Sequence, residues 1–199
     1  MKNKEECIWR ARELGVQYEI AYGGCAQSSF CAILDALREQ DIHLIPSEQE
    51  EEIFKAFVSF PGGFGNSNEG TCGAVVGSAA AISMVVSCSR EEQENDMGKN
   101  SRLAAYAVKT ALLDPFVEKF GSIICRDLLL KQHGMSFCSQ CPGRSKEFWE
   151  STNKIGCRTP QNCLISNAAD WSLRFILDYL DGKVDLNSVW DDFAPKAEQ

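Results

Sequence analysis

Histidine is almost missing from this sequence: His43 and His133 are the only two in 199 residues. Neither is followed three or four positions later by a metal-ligating side chain, so the paired-histidine pattern of a helix-borne metal site is excluded. Basic runs are missing as well. The 20 lysines and arginines are scattered among 28 acidic residues, leaving a formal net charge of -8. No cluster is dense enough to neutralise a phosphate backbone, and nucleic acid is not an expected partner. There are no internal repeats, no alternating apolar and polar pattern of the kind a strand shows, and no phosphate-binding loop. The N-terminus, MKNKEECIWRARELG, is charged throughout and lacks the apolar segment of a secretory leader. A reducing cytoplasm is therefore the expected location. The uncharged stretch from Gly70 to Ser89 has the length of a membrane span, but Gly, Ala, Ser and Cys outnumber its large aliphatics. It is expected to be a central helix packed closely by neighbours, with no membrane involved.

What the chain does have is cysteine. Ten thiols make about 5% of the residues, less than a small disulfide scaffold carries and more than chance supplies. A chain of this length buries a core without staples. In a reducing compartment the excess points to redox chemistry or metal ligation.

Helical spacing runs through most of the sequence, which predicts one all-α domain over residues 1–199, a compact bundle around the small-residue helix. Ile8, Ala11, Leu14, Tyr18 and Ala21 mark a helix from Lys4 to about Tyr22, broken by Gly23-Gly24. A second runs from Cys25 to Glu39 with Phe30, Ile33, Leu34 and Leu37 inward. Ser47 and Glu50 have the spacing of a capping box for a third helix reaching about Phe60. The glycine-rich loop from Pro61 to Gly70 leads into the central helix, Thr71 to about Ser87. Arg90 to Lys99 is expected to be a solvated connection, and helix resumes from Ser101 to Phe120, kinked or ended by Pro115. A short helix, Ser122 to Gln132, carries Cys125 and stops at Gly134. Met135 to Pro160 is expected to be a long, irregular Cys-rich loop. The last helix, about Gln161 to Leu180, is expected to face inward through Leu164, Ala168, Trp171, Phe175 and Tyr179.

Cys25 and Cys72 each fall in the first turn of a predicted helix, where free amides and the positive dipole end favour a thiolate. Cys125 precedes Arg126, a cation that could steady it. Cys138 and Cys141 form a C-x-x-C, close enough to bridge or to share a metal. With Cys157 and Cys163 they give C-x2-C-x15-C-x5-C, near a zinc-site pattern but wrong in its last interval. No histidine follows Cys141, so covalent haem is not expected. Cys7, Cys31 and Cys88 fit buried, inert thiols. His133 is expected to cap its helix.

Four segments together resemble the redox-active protein family named for its C_GCAxxG_C_C pattern: Gly24-Cys25-Ala26-Gln27; Gly62-Gly63-Phe64-Gly65 through Gly70-Thr71-Cys72-Gly73-Ala74-Val75-Val76-Gly77; Cys125-Arg126-Asp127-Leu128; and Cys163-Leu164-Ile165. The resemblance implies that Cys25, Cys72, Cys125 and Cys163 are the family's cysteines, in one site for thiol/disulfide chemistry or an iron-sulfur centre in electron transfer with a redox partner. Gly63, Gly65, Gly70 and Gly73 are candidates for cradling a ligand. The rival expectation is structural zinc held by Cys138, Cys141, Cys157 and Cys163, or a ligand-binding module without turnover.

Overall fold

A computed structural model describes residues 4–137, 141 and 143–188. Among them the chain forms ten α-helices and no strand: α1 (Lys4–Tyr22), α2 (Cys25–Arg38), α3 (Ser47–Ala56), α4 (Gly73–Val86), α5 (Arg90–Asn95), α6 (Met97–Val108), α7 (Asp114–Phe120), α8 (Cys125–His133), α9 (Arg144–Ile155) and α10 (Leu164–Leu180). No helix among the described residues is long and apolar enough to cross a membrane.

Helices α1, α2, α4 and α10 pack on one another as the core. Phe30, Ile33, Ile82, Ile165, Leu173 and Ile176 are completely or almost completely buried there. Residue size sets how closely α4 lies on α2. A Cβ at Gly77 would collide with the Ala26 carbonyl and the Ser29 hydroxyl, and one at Gly73 would collide with the Cys25 sulfur. Glycine at both positions, one turn apart, brings the two backbones into contact.

Several local expectations are corrected. Helix α3 begins at Ser47 with Pro46 at its N-cap and no side-chain cap. The capping box forms instead at Ser89, whose hydroxyl accepts from the Glu92 amide while the Glu92 carboxylate accepts from the Ser89 amide. That box starts α5 inside the expected solvated connection, and Asp96 caps α6 directly after it. Pro115 does not end its segment. The turn over 109–113 widens to a π-helix, and the proline occupies the first turn of α7, which continues directly from it. Inside the expected irregular stretch lies α9, bounded by left-handed Gly143 and Gly156. The face predicted for α10 is also shifted. Trp171, Phe175 and Tyr179 are half-buried, whereas Ile165, Ala169, Leu173 and Leu177 point inward. Ala168 of the predicted face is fully buried, and its larger members pack at the edge of the core, because α1, α2 and α4 cover the inward stripe while Trp171 meets Phe116 and Phe120.

Candidate active site

Each of the four cysteines implied by the resemblance stands at the start of a helix. Cys25 is the first residue of α2 and Cys125 the first of α8; Cys72 and Cys163 are the N-cap residues of α4 and α10. The positive dipole end of a helix therefore lies near all four, and backbone amides donate to the sulfurs of Cys25, Cys72 and Cys163.

Three of them are brought together. After α3 the chain turns through five consecutive residues of positive φ, Gly62 to Asn66. It then runs through 68–72 antiparallel to 123–126. Thr71 and Ile124 bridge; the Cys72 amide donates to the Ile123 carbonyl at 2.7 Å, and the Cys125 amide donates to the Gly70 carbonyl at 3.0 Å. Gly63 fits beneath because it lacks a side chain: a Cβ there would sit 2.9 Å from the Cys125 Cβ. The crossing of α2 over α4 supplies the third thiol, Cys25.

Within the trio the Cys72 S–H donates to the Cys25 sulfur, which also accepts from the Gly62 and Gly73 amides. The bond from Cys72, helped by those amides against the opposing effect of burial, pulls Cys25 down to about 7. The same bond pushes Cys72 well up, since its proton is held between the two sulfurs; burial adds to this. Burial, then the nearby Cys25 charge, pushes Cys125 up to about 12. Its thiol sits 3.8 Å from the Asn68 side-chain oxygen. Arg126 does not steady Cys125, because its guanidinium turns outward to Glu69 at 2.7 Å. Adjacent residues on a helix point about 100° apart.

Cys25 lines a cleft of about 260 Å³ with Glu19, Pro61, Gly62, Asn66, Phe148 and Trp149. Cys163 faces a separate, smaller cavity shared with Cys157, His133 and, again, Glu19. The Cys163 thiol donates to the Glu19 carboxylate at 3.7 Å, and burial followed by the Glu19 charge pushes it up to about 12. Burial also raises Glu19, opposed by Arg158 at 3.7 Å. Arg158 in turn lies 3.9 Å over the Trp149 ring. Local sequence gave no signal for Glu19, Trp149 or Arg158, which approach the thiols only through the packing of α1, α9 and the turn before α10.

Of the expected zinc set, Cys141 is disulfide-bonded and Cys138 lies outside the described residues. No group of three or more His, Cys, Asp or Glu is arranged to hold a metal ion among the described residues. The candidate cradle glycines are mostly in contact with the protein itself. The Gly70 amide donates to the Gly63 carbonyl, Gly73 abuts Cys25, and Gly65, whose amide donates to the Ser59 carbonyl, is the one of the four where an added Cβ would meet nothing. Cys7 donates to the Ala36 carbonyl and Cys88 to Gln93, and burial pushes Cys31 up to about 12. His133 meets Ser151 at 2.8 Å and packs between Phe137 and Phe148; Gly134, left-handed, closes the end of α8.

No curated protein and no solved structure matches the chain. A family model does. Residues 24–163, well over half of the sequence, match the family described as "Putative redox-active protein (C_GCAxxG_C_C)". The match opens one residue before Cys25 and closes on Cys163. The chain thus belongs to the C_GCAxxG_C_C family of redox-active proteins.

Proposed function

We propose that the chain performs thiol-disulfide exchange, with Cys25 as the attacking thiolate and Cys72 as its resolving partner. The observation that carries this is the hydrogen bond between two thiols at two helix starts, one sulfur facing a cleft and the other buried behind it. The Cys25 sulfur attacks one sulfur of a substrate disulfide; a new S–S bond forms and the other substrate sulfur leaves as a thiolate. Cys72 then gives up its proton and attacks Cys25. The Cys25–Cys72 disulfide forms, and the second substrate thiolate leaves. The substrate gains two electrons and the pair loses two, which a dithiol electron donor restores.

An iron-sulfur or zinc centre is the competing reading. Its difficulty is the donor set: a four-thiolate site needs a fourth sulfur beside the trio, and the Cys163 thiol is turned to Glu19. Anaerobic purification of the full chain, followed by equilibration in dithiol/disulfide buffers, separates the two. A colourless protein with a two-electron transition, and a Cys25–Cys72 linked peptide once the neighbouring thiol is replaced (Cys125→Ser), supports exchange. The transition should be lost in Cys72→Ser and kept in Cys31→Ser, while Cys25→Ser should lose exchange with an added substrate disulfide. Brown protein with stoichiometric iron and sulfide, or stoichiometric zinc, would replace exchange with metal ligation. Metal-free protein in which Cys25 reacts no faster than Cys31 would leave a binding module without turnover.

A further inference from the structure

The exchange reading leaves Cys125 unused, although it stands in the same cluster. Cys72 pairs across the bridge with Ile123 and Cys125 with Gly70, so the register set by Thr71 and Ile124 places Cys72 and Cys125 diagonally on one side of it. Diagonal neighbours in an antiparallel pair are about 7 to 8 Å apart at Cα and closer at their side chains. The residue opposite Cys125 is Gly70, which puts no side chain between the sulfurs. Each sulfur lies in the other's or in Cys25's electrostatic field: Cys125 acts on Cys72, and Cys25 acts on both. Cys72 is joined to Cys25 by the hydrogen bond between their thiols and to Cys125 by the register of the bridge, and of the three only Cys25 lines the cleft.

Resting on the exchange reading, we infer that Cys125 is the third thiol of a relay: it displaces Cys25 from the Cys25–Cys72 disulfide, so that the bond moves to Cys72–Cys125 and Cys25 is set free in the cleft. The step is balanced within the chain. The Cys125 thiol, only partly buried, gives its proton to solvent and its sulfur attacks the Cys72 sulfur. The Cys72–Cys125 bond forms, the Cys25–Cys72 bond breaks, and the electron pair stays on Cys25. No oxidant or reductant is consumed, because one disulfide replaces another.

The direction follows from which sulfur tolerates charge. The leaving sulfur is received by the Gly62 and Gly73 amides, and a thiol whose anion is stabilised leaves a disulfide readily. Cys125 has no comparable donors, so burial favours keeping it neutral or bonded. The oxidised chain thus holds its disulfide away from the cleft while its nucleophile remains available.

The test is disulfide mapping of the full chain after oxidation with one molar equivalent of diamide, with tandem fragmentation to assign linkages and iodoacetamide to count free Cys25. The relay predicts a Cys72–Cys125 linked peptide in the wild-type chain with Cys25 alkylated, and the same link in Cys25→Ser. In Cys125→Ser the link should be Cys25–Cys72, with Cys25 alkylation slowed about tenfold or more. A Cys25–Cys72 link in Cys125→Ser with no Cys72–Cys125 bond in wild type or Cys25→Ser would overturn the relay alone. Absence of Cys25–Cys72 even in Cys125→Ser would remove the exchange reading and the relay with it. The wild-type map decides the matter even if a variant folds poorly.

Discussion

Cys25 and Cys31 lie on one helix, six positions apart, and differ widely in acidity. Cys25 accepts from Cys72 and two amides and sits near 7; Cys31 is pushed up to about 12, first by burial and then by the carboxylates of Asp35 and Glu50. Alkylation follows thiolate fraction. The rate at Cys25 should therefore rise through about pH 7 and level off above it, while Cys31 stays slow throughout the neutral range, as peptide-resolved iodoacetamide kinetics would show. Cys72→Ala removes the strongest donor to Cys25 and should move that rise up toward ordinary thiol values. At this scale the sequence revealed helix-start cysteines but not their division of labour. The same argument served Cys25 and Cys72 alike, and only the shared proton makes one an acid and the other its donor.

Gly77 illustrates the element scale, because the α2–α4 crossing has no room for a methyl group there. Gly77→Ala should destabilise the fold by about 1 to 3 kcal/mol, as overpacking does, and should also slow Cys25 alkylation by shifting α2 away from the Gly73 amide and Cys72. Gly98→Ala, on α6 with nothing near its would-be Cβ, should instead be neutral or stabilise by about 0.5 kcal/mol. Urea unfolding of both variants checks the contrast. Helices with one strong apolar stripe, such as α2, were legible from spacing alone. What escaped was set by competition between similar local signals. Ser47 and Ser89 both offer a capping box, yet only Ser89 forms one. In the stretch holding α9, polar surface residues and flanking glycines hid a helix that packs through few side chains, Phe148 and Thr152 among them.

For the whole molecule, the buried thiols tie stability to alkaline pH. Cys31, Cys125 and Cys163 are held near 12 in the folded chain, against 9.0 for an ordinary thiol. A group whose folded pKa is raised contributes its stabilisation fully below the unfolded value and loses it as pH rises toward the folded one. The contribution is therefore intact below about 9 and falls between about 9 and 12. Cys25, lowered to about 7, acts oppositely, with a contribution present above about 9 and lost as pH falls through 7. With Cys7, Cys72 and Cys157 raised as well, six raised thiols outweigh one lowered thiol, so the urea midpoint under reducing conditions should drop as pH is raised above about 9, and less steeply in Cys31→Ala. The convergence of Cys25, Cys72 and Cys125 was only partly foreseeable, since their spacing says nothing of tertiary placement and the fourth cysteine turned to Glu19. That long-range assembly also governs when the thiol becomes active. Every donor that acidifies Cys25 through a hydrogen bond, Gly62, Cys72 and Gly73, is translated after it. A nascent chain ending before Gly62 presents Cys25 as an ordinary thiol, so the nucleophile is switched on by the completion of folding and is not exposed during synthesis, when the other cysteines are still free to mispair.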